Sequence, residues 1–166
     1  TGEELAKTTS TMHVIPSLRF DGYDIDHAVV AGHGVYAIET KHHHRFYGDV
    51  LARDARQAAQ AGRSLRLALT KGRDRVLSDA ELFQTVLVIW GQAARDLEPT
   101  VMATDFGRVT VLSGRGLVDW LNTRPRGGLT SQSVDQLVEH LEETAATRES
   151  AQAPHSWWIR RLARVS

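Results

Sequence analysis

The sequence predicts an α/β domain built on a mixed β-sheet core flanked by helices, and three stretches carry that expectation. Residues 24–30 (DIDHAVV) and 35–41 (VYAIETK) are β-rich runs joined across Gly32, His33 and Gly34, the pattern of an antiparallel hairpin. Residues 51–69 carry Leu51, Ala55, Ala58, Leu65 and Leu69 on one helical stripe, with Arg53, Arg56 and Arg63 on the opposite side. Thr85 to Trp90 (TVLVIW), closed by Gly91, is a nearly continuous apolar run, as expected of a central strand buried on both faces.

The other elements follow in chain order. Residues 1–9 read as the end of a helix. His13 to Phe20 is β-like, and Pro16 marks it as an edge strand or the site of a bulge. Asp21-Gly22 is a turn. Arg108 to Leu112 is a second late strand, and Gly116 to Asn122 a short helix that stops before Pro125. Arg126-Gly127-Gly128 is loop. Ser133 with Gln136 forms a capping box that opens a helix with Val134, Leu137, Val138 and Leu141 on one face. The tail places Trp157, Trp158, Ile159, Leu162 and Val165 among Arg160, Arg161 and Arg164. The organisation expected is a domain over residues 1–125 and a helical extension over 126–166 packed on it.

The 166 residues suit a single core, and 42% apolar with 24% charged residues is ordinary for a globular chain. No apolar run is long enough to cross a bilayer, and nothing at the start reads as a signal peptide. A chain that opens on Thr1 is compatible with a further domain or membrane segment in a longer parent protein. There is no cysteine, which excludes disulfide staples, thiolate metal sites and thiol nucleophiles. That fits a reducing compartment, and a cytoplasmic location is the expectation. Formal net charge is zero, but from Lys41 to Arg75 nine basic residues stand against three acids. The run is either a solvated face or a surface for phosphates.

Side chains alternate across a strand, so Glu39 and Lys41 share a face, and the fold-back around residues 32–34 brings Asp26 opposite residues 39–41. Two carboxylates then offer the hard oxygen ligands that Mg²⁺ or Mn²⁺ takes, beside an amine able to stabilise charge on a phosphoryl group or assist a water. A surface ion pair is the plain alternative. Against it, these charges continue the buried-looking runs AVV and VYAI, where a charge is more often functional. His42, His43 and His44 point in different directions as neighbours and suit a polar loop or phosphate contact better than one zinc ion. His27 falls on the strand face opposite Asp26 and suits a structural role. Asp24-Ile25-Asp26 as a sugar-nucleotide DxD motif lacks any supporting phosphate loop.

The block IDH, apolar strand, Gly-containing turn and GVYAIETK resembles the nuclease-related domain (NERD) family, part of the PD-(D/E)xK restriction-endonuclease-like superfamily. Gly2-Glu3 is similar to that family's opening GE, Gln57-Ala58 to the QA of its Arg-rich helix, and TVLVIWG to its central strand. VTVLSGRGLVDWL is similar to its late strand and short helix, so the resemblance spans residues 2–125. It implies a restriction-endonuclease-like fold and Mg²⁺-dependent cleavage of phosphodiester bonds, DNA foremost. Carried onto this chain, Asp26 and Glu39 are implied as metal ligands, Lys41 as the catalytic lysine, Glu3 as an accessory acid and Gln57 as an accessory helix residue.

The leading expectation is therefore a metal-dependent nuclease acting on DNA, with RNA and a homodimer both compatible with the sequence. Arg53, Arg56, Arg63 and His42 are the candidate nucleic-acid contacts. The alternative from another class is a non-catalytic DNA-binding or protein-interaction module on the same fold, with the Trp/Arg tail as a docking or membrane-surface element.

Overall fold

The computed structural model describes residues 2–5, 12–20, 22–46, 48–71, 76–125 and 127–152. The helices among them are α1 (Gly2–Leu5), α2 (Val50–Lys71), α3 (Leu117–Asn122) and α4 (Ser131–Gln152), and the strands are β1 (Met12–Phe20), β2 (Tyr23–Ala31), β3 (Gly34–His42), β4 (Phe83–Trp90), β5 (Thr100–Thr104) and β6 (Gly107–Ser113). The strands form one sheet in the order β1-β2-β3-β4-β6-β5. β3 pairs parallel with β4 and β4 parallel with β6, while the remaining pairs are antiparallel. This is the mixed, helix-flanked sheet that the sequence predicts, and it has the restriction-endonuclease-like arrangement.

Parallel neighbours need a long crossover, and α2 supplies it between β3 and β4. Its stripe faces the sheet as expected: Ala55, Ala58, Leu65 and Leu69 are buried and Leu51 partly so, and Ala61 joins them. α4 shares that side, where Val134, Leu137 and Leu141 join Ile15, Leu18, Val30 and Ala37 in one core cluster. The opposite side is covered by α1 and α3, whose Leu5, Leu117, Trp120 and Leu121 pack on Val29, Tyr36, Ile38, Val86 and Val88. Alternation thus sends Ala28, Val30, Val35 and Ala37 toward α2 and Val29, Tyr36 and Ile38 toward α3. The central run of β4 is buried on both faces from Val86 to Ile89, as its composition implies.

The hairpin forms where the Gly/His turn predicts it, with register Val30↔Val35, Val29↔Tyr36, Ala28↔Ala37 and His27↔Ile38. Below the turn, His33 Nδ1 and the Tyr36 hydroxyl lie 2.7 Å apart, and the Tyr36 ring meets Trp120 edge-on at 5.8 Å. Burial pushes the Tyr36 phenol up to about 12, the Arg124 charge opposing it only in part. His33 is pushed down, first by burial and then by Arg124. Its Nε2 is a buried atom with no hydrogen-bond partner.

The folded state therefore resists protonating His33, whereas the unfolded chain accepts the proton near pH 6.5. Stability from this histidine is present above that value and is lost as pH falls below it. The expected result is that the melting-temperature gap between wild type and His33→Gln is widest at pH 7.5 and narrows toward pH 5. A gap independent of pH would count against the assignment.

The structure departs from the expected elements at two points. β5 was not foreseen: residues 100–104 form an edge strand paired with β6, and Val101 is exposed. α4 starts at Ser131, ahead of the expected cap at Ser133. Thr130 Oγ1 accepts from the Ser133 amide at 3.1 Å and does the capping. Of the two alternatives at Pro16, the structure has the edge strand: Pro16↔His27 and Leu18↔Ile25 keep one register, and the local irregularity is Ser17, with φ of 54°. The Trp157-Trp158 tail lies outside the described residues.

Candidate active site

The site forms where β2 leaves β3. Their ladder ends at His27↔Ile38, yet β3 runs on beside β4, with Glu39↔Leu87, Thr40↔Val88 and Lys41↔Ile89. The edge of β3 that β2 no longer covers is met by a side chain. Asp26 Oδ2 accepts the Thr40 amide at 2.8 Å, taking the place of the next ladder acceptor. Asp26 precedes Ala28 by two, and Glu39 and Lys41 follow Ala37 by two and four. All three therefore point to the α2 side of the sheet, as the hairpin predicts.

Glu39 is only 8% exposed, unusual for a carboxylate. Its Oε1 accepts from Lys41 Nζ at 2.9 Å, while Oε2 is buried without a partner. Burial raises the Glu39 pKa; the hydrogen bond from Lys41 works against the rise, and the negative charge of Asp26 adds to it. Burial by itself would lower the Lys41 pKa. The bond to Glu39 and the charges of Glu39, Asp54 and Asp26 outweigh it and raise the group. A buried carboxylate oxygen left unsatisfied is costly unless something cationic completes it. Asp26, whose charge acts on Glu39, would complete a two-carboxylate donor set of the hard type that Mg²⁺ and Mn²⁺ take. The residues present thus fit a divalent cation. Among the described residues no group of three or more His, Cys, Asp or Glu side chains is placed to hold a metal.

A fourth partner comes from α2. Asp54 is 4% exposed, and its Oδ2 accepts from His43 Nε2 at 2.6 Å. His43 follows Lys41 by two and is fixed at the end of β3 by backbone bonds, its amide to the Trp90 carbonyl (2.9 Å) and its carbonyl from the Ala93 amide (3.1 Å). Asp54 is close enough to act on the charge of Lys41. Sequence reasoning missed this pair. The available signal was an acid inside the inward alanine stripe, four residues before Ala58 and one turn before Gln57.

The other predicted residues stand apart. Glu3 is exposed on α1, on the α3 side of the sheet, with Gly2 beside the His27 ring. Gln57 is exposed on α2, and no described contact joins it or Glu3 to the three central residues. Arg53, Arg56 and Arg63 are exposed on α2. Arg53 Nε lies 3.8 Å from Asp54, and Arg56 pairs with Asp105 at 3.3 Å and covers the Phe106 ring. The His42 ring meets that of His44 at 5.3 Å, on the face away from Lys41.

No helix among the described residues is long and apolar enough to cross a membrane. No curated protein and no solved structure matches the chain. The model of one family does, over residues 1–87, which takes in Asp26, Glu39, Lys41 and Gln57 and ends inside β4, before the late strand and the Trp120 helix. That match covers more than half of the 166 residues, and the chain belongs to the nuclease-related domain (NERD) family.

Proposed function

We propose that this chain is a divalent-metal-dependent nuclease that hydrolyses phosphodiester bonds, with DNA as its substrate. The observation that carries this reading is the buried, unpartnered Glu39 Oε2 beside Asp26 and Lys41 on one face of the sheet. Asp26 and Glu39 would hold Mg²⁺ or Mn²⁺. When bound, the ion supplies Lewis acidity toward the phosphodiester and toward the attacking water.

The chain's own residues do the rest. Lys41, an ammonium at neutral pH, places positive charge where negative charge grows on the phosphoryl oxygens. Glu39 Oε1 orients that ammonium. Asp54 fixes the His43 imidazole at the end of β3, beside the same site. The outer arginines of α2 add sequence-independent attraction for a nucleic-acid backbone. The cysteine-free composition supports a cytoplasmic setting.

Cleavage of plasmid DNA and of single-stranded DNA and RNA oligonucleotides, with Mg²⁺ or Mn²⁺ and with chelator, tests the reading. A folded protein inert across these substrates and metals would overturn it. A second measurement needs no turnover. A cation at about 100 times its dissociation constant adds about 2.7 kcal/mol to folded-state stability, roughly a 5–10 °C rise in melting temperature for a chain of this size. Mn²⁺ should give that rise in wild type and none in Glu39→Gln.

The second reading, a DNA-binding module without catalysis, is favoured by the two-carboxylate donor set, which lacks a third acidic ligand among the described residues. It predicts salt-sensitive DNA binding, weakened by charge reversal at Arg53, Arg56 and Arg63, without strand cleavage.

A further inference from the structure

A cavity of about 440 Å³ opens between the ends of β3, β4 and β6, and the proposed hydrolytic site does not use it. Its lining carries Arg95, Arg115, His42 and His44 and no carboxylate. Two guanidinium groups with no carboxylate in the lining suit an anionic ligand. The Trp90 indole, with Ile89 and Ala94 beside it, gives the same cavity a flat apolar wall. Guanidinium groups next to an aromatic plane match two parts of one ligand, the phosphate and the base of a nucleotide.

The shape is built into the fold. Backbone bonds from the His43 amide to the Trp90 carbonyl and from the Ala93 amide to the His43 carbonyl lace the rim together. Gly114, also in the lining, lies against the indole. A Cβ there would come within 2.1 Å of the ring, so only glycine lets Trp90 keep its place. Both features hold the wall in position before any ligand arrives.

The cavity also lies next to the hydrolytic site. His42 follows Lys41 on β3, and successive side chains on a strand point to opposite faces. A nucleic-acid strand with one phosphate at Lys41 needs only to pass the tip of β3 to bring a neighbouring nucleotide to His42. A base held in a duplex is not free to make that passage. We propose that this cavity binds one unpaired nucleotide of the strand being cut, its base against Trp90 and its phosphate at Arg95 and Arg115. The position of the strand rests on the nuclease reading, but binding to the cavity does not.

Isothermal titration of the full chain in EDTA, with a deoxynucleoside monophosphate, inorganic phosphate, a short single-stranded oligonucleotide and a blunt duplex, separates the two. The expected result is that the mononucleotide binds more tightly than phosphate, and the single strand more tightly than the duplex. Combining Arg95→Ala with Arg115→Ala should weaken mononucleotide binding roughly tenfold or more, and Trp90→Leu roughly fivefold or more. Both arginines are exposed, so their replacement spares the core even if the Trp90 variant fails to fold. A mononucleotide no tighter than phosphate, or unaffected by loss of both arginines, overturns the proposal. So does a duplex bound as well as the single strand. Absence of cleavage alongside these binding results would sink the hydrolytic reading and leave the cavity assignment standing.

Discussion

Replacing Lys41 with alanine is expected to lower phosphodiester cleavage by about 10²–10⁴-fold while leaving the fold intact. The side chain is partly exposed at the end of β3, so its removal opens no cavity in the core. It does remove the donor to Glu39 Oε1 and the positive charge nearest the two carboxylates. Glu39 would then carry two unpaired oxygens, and a cation would be drawn to it at least as strongly. Cleavage should therefore fall while the Mn²⁺-induced rise in melting temperature persists. Single-turnover cleavage and thermal melts on the same preparation check both halves. Wild-type rates in the folded variant would remove Lys41 from the chemistry. A lost metal response would mean that the lysine organises the donor set rather than acting on substrate.

Gly34→Ala should give the largest loss of stability. Gly34 opens β3 directly after the turn, with φ of 146°, a conformation that side-chain-bearing residues rarely adopt. A Cβ there would approach the Leu82 carbonyl oxygen to 2.4 Å, and this neighbour is backbone, which cannot swing aside. Backbone strain and overpacking cost about 1–3 kcal/mol each, so about 2–6 kcal/mol together is expected. For this chain length that is a fall of roughly 4–24 °C in melting temperature. Gly32→Ala, two residues away and with nothing within 4 Å of the new Cβ, is the matched control and should be close to neutral. Equal melting temperatures for the two variants would show that β3 does not depend on this close approach to Leu82.

What could be read in the chain follows the range of each interaction. The β2–β3 hairpin, the α2 stripe and the β4 run are local patterns with a period or a turn that names them, and the structure has all three. Placing Asp26 with Glu39 and Lys41 needed only strand alternation and a fold-back. β5 escaped because an edge strand with Val101 open to solvent has no buried face to imprint alternation on its sequence. The start of α4 was misplaced at Ser133 because Thr130, three residues earlier, is an equally good cap and takes that role. The His43–Asp54 pair joins residues eleven apart through the docking angle of α2 on the sheet, which no local period encodes. Glu3 and Gln57 were carried over from a family pattern, and their distance from the central three depends on how α1 and α2 seat on the sheet.

Asp26 has two oxygens with different duties. One replaces a missing rung by holding the Thr40 amide, and Thr40 sits between Glu39 and Lys41. A cation drawn to the other oxygen would also tug the peptide between both neighbours, so binding there and the aim of Lys41 would be mechanically coupled. An alanine at position 26 would slacken that tether along with erasing the charge. An asparagine keeps an acceptor for the tether and erases the charge alone, which makes it the cleaner probe of what the carboxylate contributes.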